Sequence, residues 1–142
     1  MCAVRAVRLC VLLCALAVAC GTPASSNPEL VYTVGGCQEE QETSRAASGD
    51  EVQIIVRGET IHVDHRLSYV CCAELSLSME QDGNTIRVVE RNVGEMCRCI
   101  CDYDVEADIT GLGPGLYQVE VWGVKYEDVH TPELLGQATI QL

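Results

Sequence analysis

Apolar and polar residues alternate along most of the chain after Gly49, and a period of two is the pattern of strands that bury one face. Val52, Ile54 and Val56 alternate with Gln53 and Arg57, Arg57-Gly58-Glu59 supplies a turn, and Ile61 and Val63 alternate with Thr60, His62 and Asp64. This spacing predicts a hairpin. From Tyr69 to Met79 one face collects Tyr69, Cys71, Ala73, Leu75, Leu77 and Met79, and the other collects Cys72, Glu74, Ser76 and Ser78, which predicts one continuous strand. Asp82-Gly83-Asn84 tolerates positive φ, and Thr85 to Glu90 follows as a returning strand. Between Cys97 and Ile109 the odd positions are Cys97, Cys99, Cys101, Tyr103, Val105, Ala107 and Ile109, while the even ones carry Arg98, Asp102, Asp104, Glu106 and Asp108. An extended segment there puts all three cysteines on the core-facing side. Gly111 to Gly115 turns, Tyr117, Val119 and Val121 form the next inward row, and Ala138, Ile140 and Leu142 share a face of the last strand. With a strand ending at Gly35-Gly36, the chain should form an all-β, antiparallel sandwich of about eight strands. No segment shows helical periodicity, and no internal repeat of useful length is present.

One short motif refines that expectation. Leu112-x-x-Gly115-x-Tyr117-x-Val119 is similar to the corner leading into a late strand of immunoglobulin-like sandwiches, where a tyrosine hydroxyl caps the preceding loop. The resemblance implies an immunoglobulin-like β-sandwich and carries no function with it.

The N-terminus reads as an address. Arg5 and Arg8 precede an apolar run from Leu9 to Val18, too short to span a bilayer and suited to a signal peptide over residues 1–19. Leu16-Ala17-Val18-Ala19-Cys20-Gly21 resembles the lipobox of bacterial lipoproteins, in which small residues precede a cysteine that becomes the diacylated N-terminus. Here Ala17 occupies the third position before the cysteine, where leucine is commonest, and Leu16 stands one place earlier. The resemblance implies lipidation at Cys20, membrane attachment through that lipid, and an extracytoplasmic location. Ordinary cleavage after Ala17-Val18-Ala19 is the rival, giving a soluble secreted protein with an odd cysteine. Residues 20–29, rich in small polar residues and proline, form a tether, and residues 30–142 form the cysteine-rich domain.

Without residues 1–19 the chain carries seven Lys and Arg against twenty-one Asp and Glu, a formal charge of −14. Such a surface excludes nucleic acid as a partner. One Trp, five Tyr and no Phe leave the core to Val, Ile, Leu and Ala, and in an oxidising compartment disulfides supplement such a core.

Six cysteines lie beyond the lipidation site: Cys37, Cys71, Cys72, Cys97, Cys99 and Cys101. They can close as three disulfides, and shared parity favours a bridge from Cys71 to the Cys97/Cys99/Cys101 row. Cys72 points the other way and is left for Cys37 or for a cysteine brought round by a bulge; a vicinal Cys71–Cys72 bond would be strained. The alternative is a soft-metal site for Zn²⁺ or Cu(I), built from Cys71, Cys97, Cys99, Cys101 and His65. Sulfurs at i, i+2 and i+4 of a flat strand are roughly 7 Å apart. Ligands of one ion at about 2.3 Å must lie within roughly 4 Å of one another, so one ion requires a bend between Arg98 and Asp102. The CC…CxCxC arrangement also resembles small uncharacterised bacterial lipoprotein domains, a likeness confined to Tyr69 to Val121 that implies no activity.

Other chemistry is thin. Asp102, Asp104, Glu106 and Asp108 share one strand face, which the alternation already explains as solvated. His130 sits in a polar loop, Trp122 points to the polar side of its strand, and neither GxSxG nor a phosphate-binding glycine loop is present. The resulting expectation is a non-catalytic, cofactor-free surface module that offers its loops to a protein or small ligand.

Overall fold

Eight strands follow one another: β1 (Glu29–Val34), β2 (Glu51–Arg57), β3 (Thr60–Val70), β4 (Leu75–Asp82), β5 (Thr85–Asn92), β6 (Ile100–Thr110), β7 (Leu116–Lys125) and β8 (Leu134–Gln141). The computed structural model describes residues 27–37, 51–127 and 129–142. The signal segment, Cys20 and most of the tether lie outside the described residues. The strands make two four-stranded sheets, ordered β1-β6-β3-β2 and β4-β5-β7-β8, which face each other as a β-sandwich.

The period-two faces locate the core. Ile61, Val63, Val105, Ala107 and Ile109 line the inner face of the first sheet, and Leu77, Ile86, Val88, Tyr117, Val119, Val121 and Ile140 line the second. Each aliphatic side chain buried there contributes about 1.5–3 kcal/mol. The two hairpin turns are made at Gly58 (φ 63°) and Gly83 (φ 58°), in the left-handed region that only glycine enters without cost. The corner before β7 forms as its motif implies: the Tyr117 hydroxyl donates to the Gly113 carbonyl at 2.9 Å.

Three expectations need correction. Tyr69 to Met79 is not one strand: β3 ends at Val70 in the first sheet, Cys71 and Cys72 turn, Ala73 N donates to Val70 O at 3.1 Å, and β4 starts at Leu75 in the second sheet. Alternation could not reveal this, because a strand that changes sheets keeps turning its apolar face toward the same core. Second, β6 begins only at Ile100, with a bend at Arg98, so the inward parity holds from Cys101 to Ile109 and fails for Cys97 and Cys99. Third, the pairing is not wholly antiparallel. The chain leaves the second sheet after β5, crosses the first sheet as β6 and returns as β7, so β5 and β7 run parallel, with a register shift between Val89 and Arg91.

Tyr117→Phe removes the corner hydrogen bond while keeping the ring in the core, so it should cost about 1 kcal/mol. A urea midpoint that falls with an unchanged m-value is the expected result; a midpoint equal to wild type would show that the corner contributes nothing.

Candidate functional site

The cysteines gather at the end of the sandwich where β3 gives way to β4. Cys71 and Cys72 form the turn there, Cys97 and Cys99 lie in the loop before β6, Cys101 is in β6, and Cys37 follows β1. Main-chain bonds join the turn to the loop: Cys71 N donates to Cys99 O (3.1 Å), Glu95 N to Cys72 O (3.3 Å) and Val93 N to Glu74 O (2.8 Å). Asn92, buried at the end of β5, accepts from Glu74 N (3.1 Å) and Gly94 N (2.9 Å) through its Oδ1. At Gly94 the loop approaches so closely that a Cβ would stand 2.6 Å from Glu74 N, so no other residue fits without displacing backbone. Beneath the turn, the buried Tyr103 donates its hydroxyl to Val70 O at 2.9 Å. Burial, reinforced by the nearby Cys71 and Cys99 thiols, pushes this hydroxyl's pKa above the ordinary tyrosine value.

Two disulfides close across this frame, Cys37–Cys101 and Cys72–Cys97, with Cα separations of 5.4 and 5.9 Å. Cys71 and Cys99 lie outside both bridges. The six sulfurs fall into two groups, Cys37/Cys71/Cys101 and Cys72/Cys97/Cys99, and within each group all three Sγ atoms lie within 4.8 Å of one another. In the second group the bend at Arg98 brings Cys97 Sγ and Cys99 Sγ to 3.3 Å. Cys71 is half-buried, whereas Cys99 is exposed.

The bridge expected from Cys71 to the 97/99/101 row is replaced by Cys37–Cys101 and Cys72–Cys97, and no vicinal Cys71–Cys72 bond forms. The turn at Cys71 and Cys72, invisible to a parity count, decides that pairing. The five residues proposed as one metal site divide as well. Cys71 and Cys101 belong to one group and Cys97 and Cys99 to the other, while neither group of sulfurs includes His65. His65 stands further along β3, opposite Val52 and Val105, with its Nδ1 2.7 Å from Glu90 Oε1 of β5. His65 is 2% and Glu90 1% exposed, which makes this a polar contact between the sheets sealed from solvent. Among the described residues, His65 Nε2 and Glu90 Oε2 find no further hydrogen-bond partner.

Glu90 escaped the sequence reading, although a signal was present. Ile86, Val88, Glu90 and Asn92 share the even parity of β5, so its two polar members face inward with the apolar ones. The acidic face of β6 is solvated or paired: Asp104 accepts from Arg66 at 3.1 Å, Asp108 contacts His62, and Asp102 and Glu106 are exposed. Trp122 donates to Glu120 at 3.0 Å and lies under the Arg87 guanidinium, 5.5 Å from the ring centroid. His130 is exposed, with its Nδ1 3.4 Å from the hydroxyl of Tyr69, which also meets Met96 Sδ at 3.5 Å.

No family model, curated protein or solved structure matches the chain. The fold and the sulfur groups therefore rest on this chain's own residues.

Breaking a buried hydrogen-bonded polar pair strands its partner, so Glu90→Ala should destabilise the domain by about 3–5 kcal/mol. The joint change His65→Leu with Glu90→Leu should recover most of that loss, because it leaves no polar atom orphaned. Chemical denaturation of the single and double variants checks this; a double variant as unstable as Glu90→Ala would refute it.

Proposed function

We propose that the protein is an exported, lipid-anchored and non-catalytic envelope module, held to a bacterial membrane through Cys20 and presenting the cysteine-rich end of its sandwich to a protein or small ligand. The observation that carries this reading is the pair of disulfides, Cys37–Cys101 and Cys72–Cys97, because such bridges form and persist in oxidising, extracytoplasmic compartments. Each can contribute about 2–4 kcal/mol, which matters for a domain without phenylalanine in its core.

Topology supports the direction of display. The chain enters the sandwich at Glu29, which pairs with Thr110 at the end of β6, whereas Cys101 lies near the start of that strand. At about 3.3 Å per residue the two ends are roughly 30 Å apart. On this reading the tethered end lies toward the membrane and the cysteine end away from it. That far end exposes Val93, Met96 and Ile100 around the loop, apolar side chains of the kind that a partner covers.

The full-length chain produced with its own leader in a Gram-negative host should fractionate with membranes and enter the detergent phase on Triton X-114 separation. Its N-terminal peptide should carry the mass of a diacylated cysteine. Cys20→Ser should shift the protein to the aqueous phase. A wild-type chain recovered in the aqueous phase, with an unmodified Cys20, would exclude lipid anchoring and leave a soluble secreted domain.

A further inference from the structure

We infer that the six-cysteine cluster is a redox-gated pair of three-thiolate sites, each of which binds one Cu(I) ion when its disulfide is open. This goes beyond the anchoring reading and is independent of whether Cys20 is lipidated.

Sulfur geometry is the first reason. A disulfide uses two sulfurs, yet each group holds three within 4.8 Å. Three sulfurs in a plane around one ion, each at about 2.3 Å, stand about 4 Å apart. No sulfur of a group is more than 4.8 Å from the others, so once the bridge is open side-chain rotations can bring the three to that spacing. The two bridges use Cys37 with Cys101 and Cys72 with Cys97, and in each group a third sulfur stands beside the bridged pair.

Ligand chemistry is the second. Both groups are all-sulfur, with no histidine or carboxylate among the described residues that make them up. Thiolates are soft donors that select Cu(I), and this d¹⁰ ion is content with three of them. Structural zinc takes four ligands in a tetrahedron, which neither group supplies by itself.

Preorganisation is the third. Cys37, Cys71 and Cys101 come from the end of β1, the sheet-switch turn and β6, and Cys72, Cys97 and Cys99 from the turn and the loop. The bonds from Cys71 N to Cys99 O, from Glu95 N to Cys72 O and from the Tyr103 hydroxyl to Val70 O hold the turn, the loop and β6 together, and Gly35 N, two residues before Cys37, donates to Asp104 O of β6 at 2.7 Å, all without using any sulfur. Opening the bridges therefore releases the thiols without dispersing them.

The chemistry balances in two steps. An external dithiol gives two electrons and two protons to each bridge, becoming a disulfide while two cysteine thiols form. One Cu(I) then replaces the protons of three thiols in each group, releasing three protons and keeping its own oxidation state. In the oxidised protein two of the three sulfurs are bonded to each other and the site is closed.

The test uses the whole folded domain with its tether, reduced with a phosphine under argon, freed of reductant, and titrated with Cu(I) against a chromophoric copper chelator. The expected result is two copper ions per chain by native mass spectrometry, ultraviolet thiolate-to-copper charge-transfer absorption, and no binding by the oxidised protein. Cys71→Ser and Cys99→Ser leave both disulfides intact, so both variants fold in the oxidised state, and each should retain one copper ion instead of two. No copper held against the chelator, two ions retained in either single variant, or both ions lost in either variant would each overturn the proposal. Far-UV circular dichroism follows the sheet throughout. A reduced chain that loses its strand signal and does not regain it with Cu(I) would overturn the proposal too.

Discussion

The step from β3 to β4 is the constraint on which the rest of this structure depends. There the chain leaves one sheet for the other within four residues, at a position where neither sheet can supply ladder partners for the backbone. The loop before β6 supplies them instead, through Cys99 O, Glu95 N and Val93 N, and the hydroxyl of Tyr103 takes up the last carbonyl of β3. Cys72–Cys97 ties the same turn to the same loop, and Cys37–Cys101 ties the end of β1 to β6 beside it. The sulfur cluster is thus a consequence of how the chain changes sheets. Each cysteine occupies a segment that the crossing brings to one end of the sandwich.

Strand β5 carries the complementary polar work inside. Its inward row begins with Ile86 and Val88 and ends with Glu90 and Asn92. Glu90 reaches across the sandwich to His65, and Asn92 binds the backbone of the turn and loop at the cysteine end. A buried polar contact adds little net stability because both groups lose water, but it penalises any sliding of one sheet over the other that would separate the two. The aliphatic side chains of this core pack without such directional preference. The His65–Glu90 contact is thus a directional contact between β3 of one sheet and β5 of the other.

These features give the domain two distinct ends. One receives the tether beside the end of β6; the other carries the six sulfurs, the exposed apolar residues of the loop, and the contact of Tyr69 with Met96 and His130. The proposed anchoring and the proposed sulfur chemistry involve different residues, so each can be altered without the other. The acidic surface between them is explained by solvation and by pairing with Arg66 and His62.

By itself the sequence determined whatever depends on near neighbours in the chain. Period two placed Ile61, Val63 and His65, the odd row from Cys101 to Ile109, and Tyr117, Val119 and Val121 on buried faces; glycines at positive φ placed the hairpin turns; and Leu112 to Val119 announced the tyrosine corner. The even row of β5 held Glu90 and Asn92 on the core side in the same way. Only the tertiary structure decided which sulfur meets which. A side chain's inward direction is a local property, whereas its partner is set by the sheet change at Cys71-Cys72, the bend at Arg98 and the parallel return of β7 beside β5. The sheet change and the parallel return join residues far apart in sequence, the bend at Arg98 breaks the period locally, and no alternation of apolar and polar positions records any of the three. For the same reason His65, inward as its parity predicts, meets a glutamate across the core and stands apart from the cysteines six residues away.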